Sequence, residues 1–366
     1  MALTRIQPAA IADVREPNFR NILINGDMQV SQRATSTASI TGNGYHTIDR
    51  FNTINTTLGT WTQSQDTDVP TGQGFATSLK MDCTTADASP ASGDRLDVQQ
   101  RFEGQNLQYL KKGTSSAESL TLSFWVKAVK TGTNIVELWD SDNVRQISQA
   151  YTISSSNTWE KKTLTFPGDT TGALNNDNGN SLQVSWFLAV GSDYSSGTLS
   201  TTWTSNTNAN RAVGQVNHAD STSNNFYITG IQMEAGTSAS DFEFLPFDVN
   251  LQRCQRYFEK TYNVDVAPGT TTDTGLQWLS GFSDSGSNIS FISSLKVEKR
   301  ASPTVTGYSR TGTSGQWGYG RNGASGTTSA FASHMYGQGS SGSYAAVGTT
   351  WAGGYIYGHI TYSAEL

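Results

Sequence analysis

The side chains in this sequence that could most readily form a reaction centre are aspartates that occur in close pairs. The pairs are Asp66 with Asp68, Asp94 with Asp97, and Asp140 with Asp142. Glycoside hydrolysis needs two neighbouring carboxyl groups, and the general acid of the two must be desolvated. All three pairs lie in segments rich in Gly, Ser or Asn, which predict turns. The pattern therefore favours solvated turn acids or a weak calcium site, and it nominates no catalytic residue.

Other enzyme signatures are absent from the sequence. There is no G-x-S-x-G elbow, no H-E-x-x-H pair, no Walker loop and no dinucleotide fingerprint. Four histidines are present, but their spacing nominates no Ser-His-Asp site. We therefore predict a protein that is not an enzyme, with no cofactor and no bound metal.

A different chemistry is suggested by the aromatic residues between positions 307 and 354. Sugar binding requires an aromatic ring for the apolar side of a pyranose and polar side chains for its hydroxyl groups. This segment is dense in Gly and Ser, and aromatics in such loops tend to serve binding. The predicted glycan-binding residues are Trp317, Tyr319, His334, Tyr336 and Trp351.

Composition limits the partners of the protein. Charged residues make up 15% of the chain and the net charge is -6, so neither nucleic acid nor an anionic membrane is expected as a partner. Residues 1–20 lack a signal-peptide pattern, and no apolar run approaches the roughly 20 residues of a membrane span. We expect the protein to be made in a cytosol and not to insert into a membrane. Cys83 and Cys254 have no CxxC neighbour and are predicted to be small buried hydrophobes.

Alternating apolar residues predict a β-rich chain up to about residue 247. The segments 121–129 and 181–190 alternate most clearly, and the second is expected to be a central strand. Further strands are predicted at 46–54, 76–83, 96–103, 135–140, 158–166 and 226–234, and after residue 267 at 276–282, 289–297, 304–308 and 355–362. Gly230 interrupts the alternation of its strand, which predicts a β-bulge.

One helix is predicted, over residues 248–262. Phe247, Leu251, Cys254 and Phe258 follow a spacing of four, three and four, with Asp248 as a possible N-cap. Such a stripe suits a helix that packs on its own copies around a threefold axis, and equally one that lies across the β-sandwich. As an oligomerisation helix it would use these four apolar residues.

Several strings resemble a family of tail fibre and receptor-binding proteins of marine and cyanobacterial phages. They include "RNILINGDMQVSQRAT", "LTLSFWVKAVKTGT", "NNFYITGIQMEAG" and "FEFLPFDVNLQRCQRYFEK", and they span about residues 20–262. The resemblance implies a jelly roll like that of carbohydrate-binding modules. Calcium-binding sugar modules with a similar opening strand carry acidic residues where this chain has Gln29 and Thr229, which weakens a calcium site.

The expected architecture is all-β, with a jelly-roll sandwich, one short connecting helix and a smaller C-terminal β-sandwich. We expect residues 1–20 to anchor the chain to the phage tail or baseplate, 21–247 to form the jelly roll, 248–262 the helix, and 263–366 the receptor-binding domain. The expected function is that of a homotrimeric tail fibre subunit, made in the host cytoplasm and located in the virion, which binds a host surface polysaccharide or lipopolysaccharide. The alternatives are a capsid-decorating or architectural virion protein without ligand, and a polysaccharide depolymerase.

Overall fold

Antiparallel β-strands dominate the computed structural model, which describes residues 19–281, 288–321, 324–328, 330–335, 338–346 and 354–366. The strands are β1 Ser36–Ile40, β2 Asn52–Thr56, β3 Thr60–Asp66, β4 Ser78–Thr85, β5 Arg95–Glu103, β6 Leu120–Ala128, β7 Gly132–Asp140, β8 Arg145–Ile153, β9 Glu160–Phe166, β10 Asn180–Val190, β11 Thr204–Ser205, β12 Asn225–Ala235, β13 Phe258–Lys260, β14 Gln277–Gly281, β15 Asn288–Ser294, β16 Thr304–Tyr308, β17 Gly318–Arg321, β18 Ala324–Thr327, β19 Ala330–Met335, β20 Ser340–Ala346 and β21 Gly354–Ser363. The helices are α1 Ser192–Ser195 and α2 Phe247–Gln255. In the described part of the chain, neither helix is long and apolar enough to cross a membrane.

The larger unit is a sandwich of two six-stranded sheets. One sheet has the order β1-β3-β4-β12-β6-β9 and the other β11-β8-β7-β10-β5-β2. Their facing sides bury one continuous apolar core, because inward positions of each strand alternate with outward ones. At its centre Phe124 of β6 meets Trp186 of β10 edge to face, with ring centroids 5.8 Å apart. The jelly-roll class expected from the sequence is confirmed.

The clearest sequence patterns correspond to real strands. Leu122, Phe124 and Val126 of β6 all point into the core, and β10 lies between β7 and β5 as a central strand. Gly230 adopts a φ of +60° where the pairing of β12 with β6 shifts register. A Cβ atom there would lie 2.5 Å from the Phe75 ring, so the predicted bulge also needs glycine for space.

The helix differs from its prediction. It begins at Phe247, with Pro246 rather than Asp248 in the N-cap position, and ends at Gln255, well before residue 262. Phe258 lies in strand β13 instead, so its predicted place on a helical stripe is wrong. Cys254 is completely buried within the chain, which leaves no surface for contact with another copy. Phe247 is 45% exposed and Leu251 is half-buried, so only these two are open to a partner.

The smaller unit is built around β21, which pairs with β13, β14, β16 and β17. A three-stranded sheet, β15-β20-β19, supplies Phe291 and Phe331 to the core of this unit. That core contains Trp317 and Ile356 at its centre. The expected smaller C-terminal sandwich is therefore present, and its first strand, β13, lies ahead of residue 263.

Charged and polar side chains join the two units. Glu365, just after β21, forms ion pairs with Arg33 and with the buried Arg50 of the larger sandwich. Arg50 also stacks on the ring of Tyr257, 3.4 Å from its centroid. On the same side, Arg300 Nη1 donates a hydrogen bond of 3.1 Å to the carbonyl oxygen of Asn178. These contacts hold the C-terminal unit against the larger sandwich.

Beside this junction, Asp49 is a completely buried carboxyl group, and burial raises its pKa from 3.8 to about 6. Because the folded pKa is raised, its contribution to stability is fully present below about pH 4 and is lost as the pH rises through about 6. We expect the free energy of unfolding of Asp49→Asn, relative to that of the wild type, to increase by about 2–3 kcal/mol between pH 4 and pH 7. A loss that does not depend on pH is added to this, because the amide nitrogen of asparagine cannot accept the second hydrogen bond from Gln32. Urea unfolding of both proteins across this pH range measures the difference.

Asp177→Asn is the control, because it removes an exposed carboxyl group from the surface of the same sandwich. A stability difference between Asp49→Asn and wild type that does not change with pH would contradict the assignment.

Candidate functional site: an aromatic platform on the C-terminal sheet

Three aromatic side chains lie together on the outer side of the C-terminal sheet. Trp278 of β14 is directly opposite Tyr357 of β21, and Tyr355 lies two positions earlier on β21. Alternation places Leu279 and Ile356, the neighbours of these residues, on the core side. Trp278, Tyr355 and Tyr357 are called the aromatic platform below.

Glycine residues in the adjoining strand β17 make room for the platform. Gly318 is paired with Tyr357, and Gly320 is paired with Tyr355. A Cβ atom at either glycine would lie 2.3 Å from a ring carbon of the opposite tyrosine. Both tyrosine rings therefore lie across β17, above glycines whose missing side chains provide the space.

The rings of the platform overlap and remain exposed. Trp278 stacks on Tyr357 with centroids 4.8 Å apart and planes 20° from parallel, and it lies 5.1 Å from Tyr355. Trp278 is 58% exposed and Tyr355 is 40% exposed. Large aromatic side chains are seldom left this open in adjacent positions without a binding role. A contiguous aromatic surface of this kind can stack against the C–H face of a pyranose ring.

A charged pair lies beside the platform. Arg310 Nη2 donates a hydrogen bond of 2.6 Å to Asp273 Oδ2, and both side chains are largely exposed. This hydrogen bond and the Asp273 charge raise the pKa of Arg310. Exposed donors and acceptors next to an aromatic surface are suited to sugar hydroxyl groups.

The structure corrects the predicted role of Trp317. Its ring is completely buried, and it stacks between Phe291 at 4.8 Å and Phe331 at 5.5 Å. Its indole N–H donates to the carbonyl oxygen of His359, at 3.1 Å. A ring without exposed surface cannot stack on a sugar, so Trp317 is a core residue.

The other predicted glycan-binding residues are not assembled into one site in the part of the chain that the structure describes. Tyr319 of β17 is half-buried and packs on the core side, opposite Ile356. His334 lies in β19 of the separate three-stranded sheet, opposite Gly342. Tyr336 and Trp351 lie outside the described residues.

The paired aspartates hold the larger sandwich together. Asp97 binds Arg95 through two hydrogen bonds of 2.7 and 3.0 Å, and Asp140 pairs with Lys112. Asp68 accepts a 2.9 Å hydrogen bond from the indole N–H of Trp159 and pairs with Lys127. Among the described aspartates, burial raises the pKa of Asp49 and Asp27, and both side chains are buried.

Resemblance to sugar modules would place a calcium ion near Asp27, which lies in a turn ahead of β1, and near Thr229 of β12. Asp27 Oδ1 accepts a 3.1 Å hydrogen bond from the side-chain amide of Asn250 in α2. The Thr229 hydroxyl donates to the carbonyl oxygen of Thr77 at 2.8 Å. Among the described residues, no three His, Cys, Asp or Glu side chains are grouped to hold a metal ion. The Asp27 carboxylate therefore helps to hold α2 against the sandwich, through its hydrogen bond with Asn250.

Comparison with known proteins gives distant structural matches. No protein-family model matches the chain, and no curated protein matches it. One solved structure is the enzymatically active domain of tailspike protein 4 from bacteriophage CBA120, with 16% identity and a TM-score of 0.31 over 59% of this chain and 21% of that chain. The match therefore covers only about a fifth of the length of that solved domain.

Two further matches are modules named for polysaccharide binding. The N-terminal cellulose-binding domain of Cellulomonas fimi β-1,4-glucanase C shares 11% identity, with a TM-score of 0.26 over 45% of this chain and 83% of that chain. The CBM22-1 xylan-binding domain of Paenibacillus barcinonensis Xyn10C also shares 11% identity, with a TM-score of 0.26 over 60% of this chain and 96% of that chain.

Proposed function

We propose that this chain is a non-catalytic subunit of a bacteriophage tail fibre and that its aromatic platform binds a glycan of the host surface. The observation that carries the proposal is the platform itself, in which the exposed rings of Trp278 and Tyr355 and the half-buried ring of Tyr357 lie together beside a glycine-bearing strand. The resemblance of residues 20–262 to phage tail fibre proteins supports the virion setting. Attachment to the tail or baseplate through residues 1–20 belongs to the same proposal.

The glycan-binding part is tested on a glycan array with the full chain and its Trp278→Ala variant. Loss of one stacked ring should weaken binding at least about tenfold, or about 1.4 kcal/mol, because one central aromatic commonly dominates a small interface. Phe244→Ala is the matched control, since it removes an exposed aromatic ring from the larger sandwich.

A second variant keeps all three rings and changes only the space beneath them. Gly320→Val places a branched side chain where the Tyr355 ring lies, so it should displace that ring and weaken glycan binding. Circular dichroism would verify that the variant keeps its β-structure. Absence of selective glycan binding by the wild type would overturn the proposal and favour an architectural virion protein. Binding of neutral glycans that survives loss of Trp278 and Tyr355 together would overturn the platform as the binding site.

Release of reducing ends from a bound polysaccharide would instead make the protein a depolymerase. We propose the absence of such activity, because the paired aspartates are engaged in ion pairs and hydrogen bonds of the sandwich.

A homotrimer is the oligomeric state that we propose. Several platforms on one fibre would convert weak sugar contacts into avidity. Phe247 and Leu251 supply accessible apolar surface on α2 for this contact. Mass photometry measures the outcome, and a wild-type monomer at micromolar concentration would contradict it.

A further inference from the structure

A second cleft lies on the larger sandwich, remote in sequence from the platform strands. It has a volume of about 290 Å³ and lies between α2, the end of β5 and the short turns that follow β5. Its walls include Arg101, Arg253 and Arg256, together with Phe19 and Tyr109. The volume is close to the lower end of the range for small-molecule sites. We call it the arginine cleft.

The one carboxylate in the lining of the arginine cleft is already engaged. Glu103 accepts two hydrogen bonds of 2.7 Å from Arg256 and one of 2.5 Å from the Tyr257 hydroxyl. Gln105 donates a further hydrogen bond to it at 2.6 Å. These donors lower the pKa of Glu103 despite its burial. Glu103 thus neutralises Arg256, whereas in the described part of the chain no carboxylate side chain forms a direct ion pair with Arg101 or Arg253.

Arg253 is a cation of the arginine cleft that has no direct ion pair in the described part of the chain. Its Nη2 donates a long hydrogen bond of 3.3 Å to the carbonyl oxygen of Asn21, and no ion pair joins it to a carboxylate within the described residues. Burial lowers its pKa, and the Glu243 carboxylate, which accepts a hydrogen bond from the Asn21 N–H, opposes this shift without a direct ion pair. Arg101 donates from Nη1 to an oxygen of Leu366, while its buried Nε has no partner in the described part of the chain. A planar guanidinium with free donors is suited to bind a carboxylate through two hydrogen bonds.

The entrance to the cleft is aromatic. Phe19 and Tyr109 are 59% and 50% exposed, and both line the same space as Arg253. The Arg253 guanidinium lies 6.0 Å from the centre of the Phe19 ring. A ligand here would contact a flat apolar surface and a cation together. An acidic sugar has a matching apolar C–H face and a carboxylate.

We propose that the arginine cleft binds one acidic pyranose unit, with its carboxylate on Arg253 and its ring against Tyr109 and Phe19. This site is distinct from the aromatic platform in position and in chemistry. The platform offers stacking beside an ion pair that is internally neutral, whereas the arginine cleft offers an unmatched positive charge.

The test measures binding of glucuronate, glucose and inorganic phosphate to the full chain by calorimetry or NMR titration. Glucuronate is expected to bind, glucose to bind at least about tenfold more weakly, and a rise in salt to weaken the glucuronate complex. Arg253→Gln should weaken glucuronate binding at least about tenfold, Arg253→Lys by less, and Tyr109→Ala several-fold. Lys161→Gln is the control, because it removes an exposed positive charge of β9 that lines neither the arginine cleft nor the aromatic platform.

Three results would overturn the proposal. One is the absence of saturable glucuronate binding, and another is binding that Arg253→Gln leaves unchanged. The third is phosphate binding as tight as that of glucuronate with no effect of Tyr109→Ala, which would identify a site for any small anion. Because Tyr109 lies on an exposed turn, its variant keeps the test valid if Arg253→Gln fails to fold.

Discussion

Replacement of Trp317 by alanine is expected to lower the free energy of unfolding of the C-terminal unit by about 3–5 kcal/mol. The ring is completely buried between Phe291 and Phe331, so its removal loses apolar contact on both faces and leaves a cavity. Its N–H partner, the His359 carbonyl, would also lose a hydrogen bond. Urea unfolding, with limited proteolysis to locate the loosened segment, measures the effect.

Trp278→Ala is the matched comparison for Trp317→Ala. Because Trp278 is 58% exposed, its loss should change the free energy of unfolding by no more than about 0.5 kcal/mol while it weakens glycan binding. The two tryptophans therefore separate a stabilising role from a binding role within one sheet. Equal stability of the two variants would contradict this division.

Removal of the Glu365 carboxylate is the second change with a large expected effect. Glu365→Ala leaves the guanidinium groups of Arg33 and Arg50 without their shared counter-ion, and Arg50 is only 1% exposed. Loss of one partner from a buried ion pair is costly because the remaining charge stays desolvated, so we expect a loss of about 3 kcal/mol. The C-terminal unit should also become more sensitive to protease. Thermal and urea unfolding measure the change in stability.

The control for this prediction is an ion pair with an exposed partner. Lys111 is largely exposed in its pair with Glu118, so Glu118→Ala should cost less than about 1 kcal/mol. If both substitutions lowered the free energy of unfolding by a similar amount, the prediction that burial makes the Glu365 ion pairs costly to break would be contradicted.

Much of the larger sandwich could be predicted from sequence because its central strands have one strictly apolar face. Strands β6 and β10 are of this kind. Strand β3 was not predicted, because its inward positions include Gln63, a polar residue that is buried and bonded to Thr47 and Thr53. A buried amide in a hydrogen-bond network cannot be distinguished from a solvated one by periodicity alone.

The end of the helix was not predictable for a related reason. The spacing of Phe258 continues the helical stripe, yet its backbone pairs with Ser363 near the end of β21. A partner more than a hundred residues away in sequence determines the conformation, and local periodicity contains no information about it.

The position of the proposed aromatic platform could be predicted only in part from the sequence. Both strands of the proposed platform, β14 and β21, were predicted from the sequence. The prediction that Trp317 is exposed was wrong, because a Gly-rich segment can also place an aromatic ring in the core. The useful signal was the string Tyr355-Ile356-Tyr357, in which alternation places two rings on the side away from the core, but its pairing with Trp278 required the register.

Strand β21 has a consequence for the order in which the C-terminal unit assembles. It pairs with β13, β14, β16 and β17, and all four precede it in the chain. During synthesis these strands emerge with open edges and must wait for β21, which makes their pairing non-local and slow. A ribosome stalled before residue 354 would therefore leave exposed strand edges, which are sites for aggregation. The strand that carries two rings of the platform is also the one that protects its neighbours from misassembly.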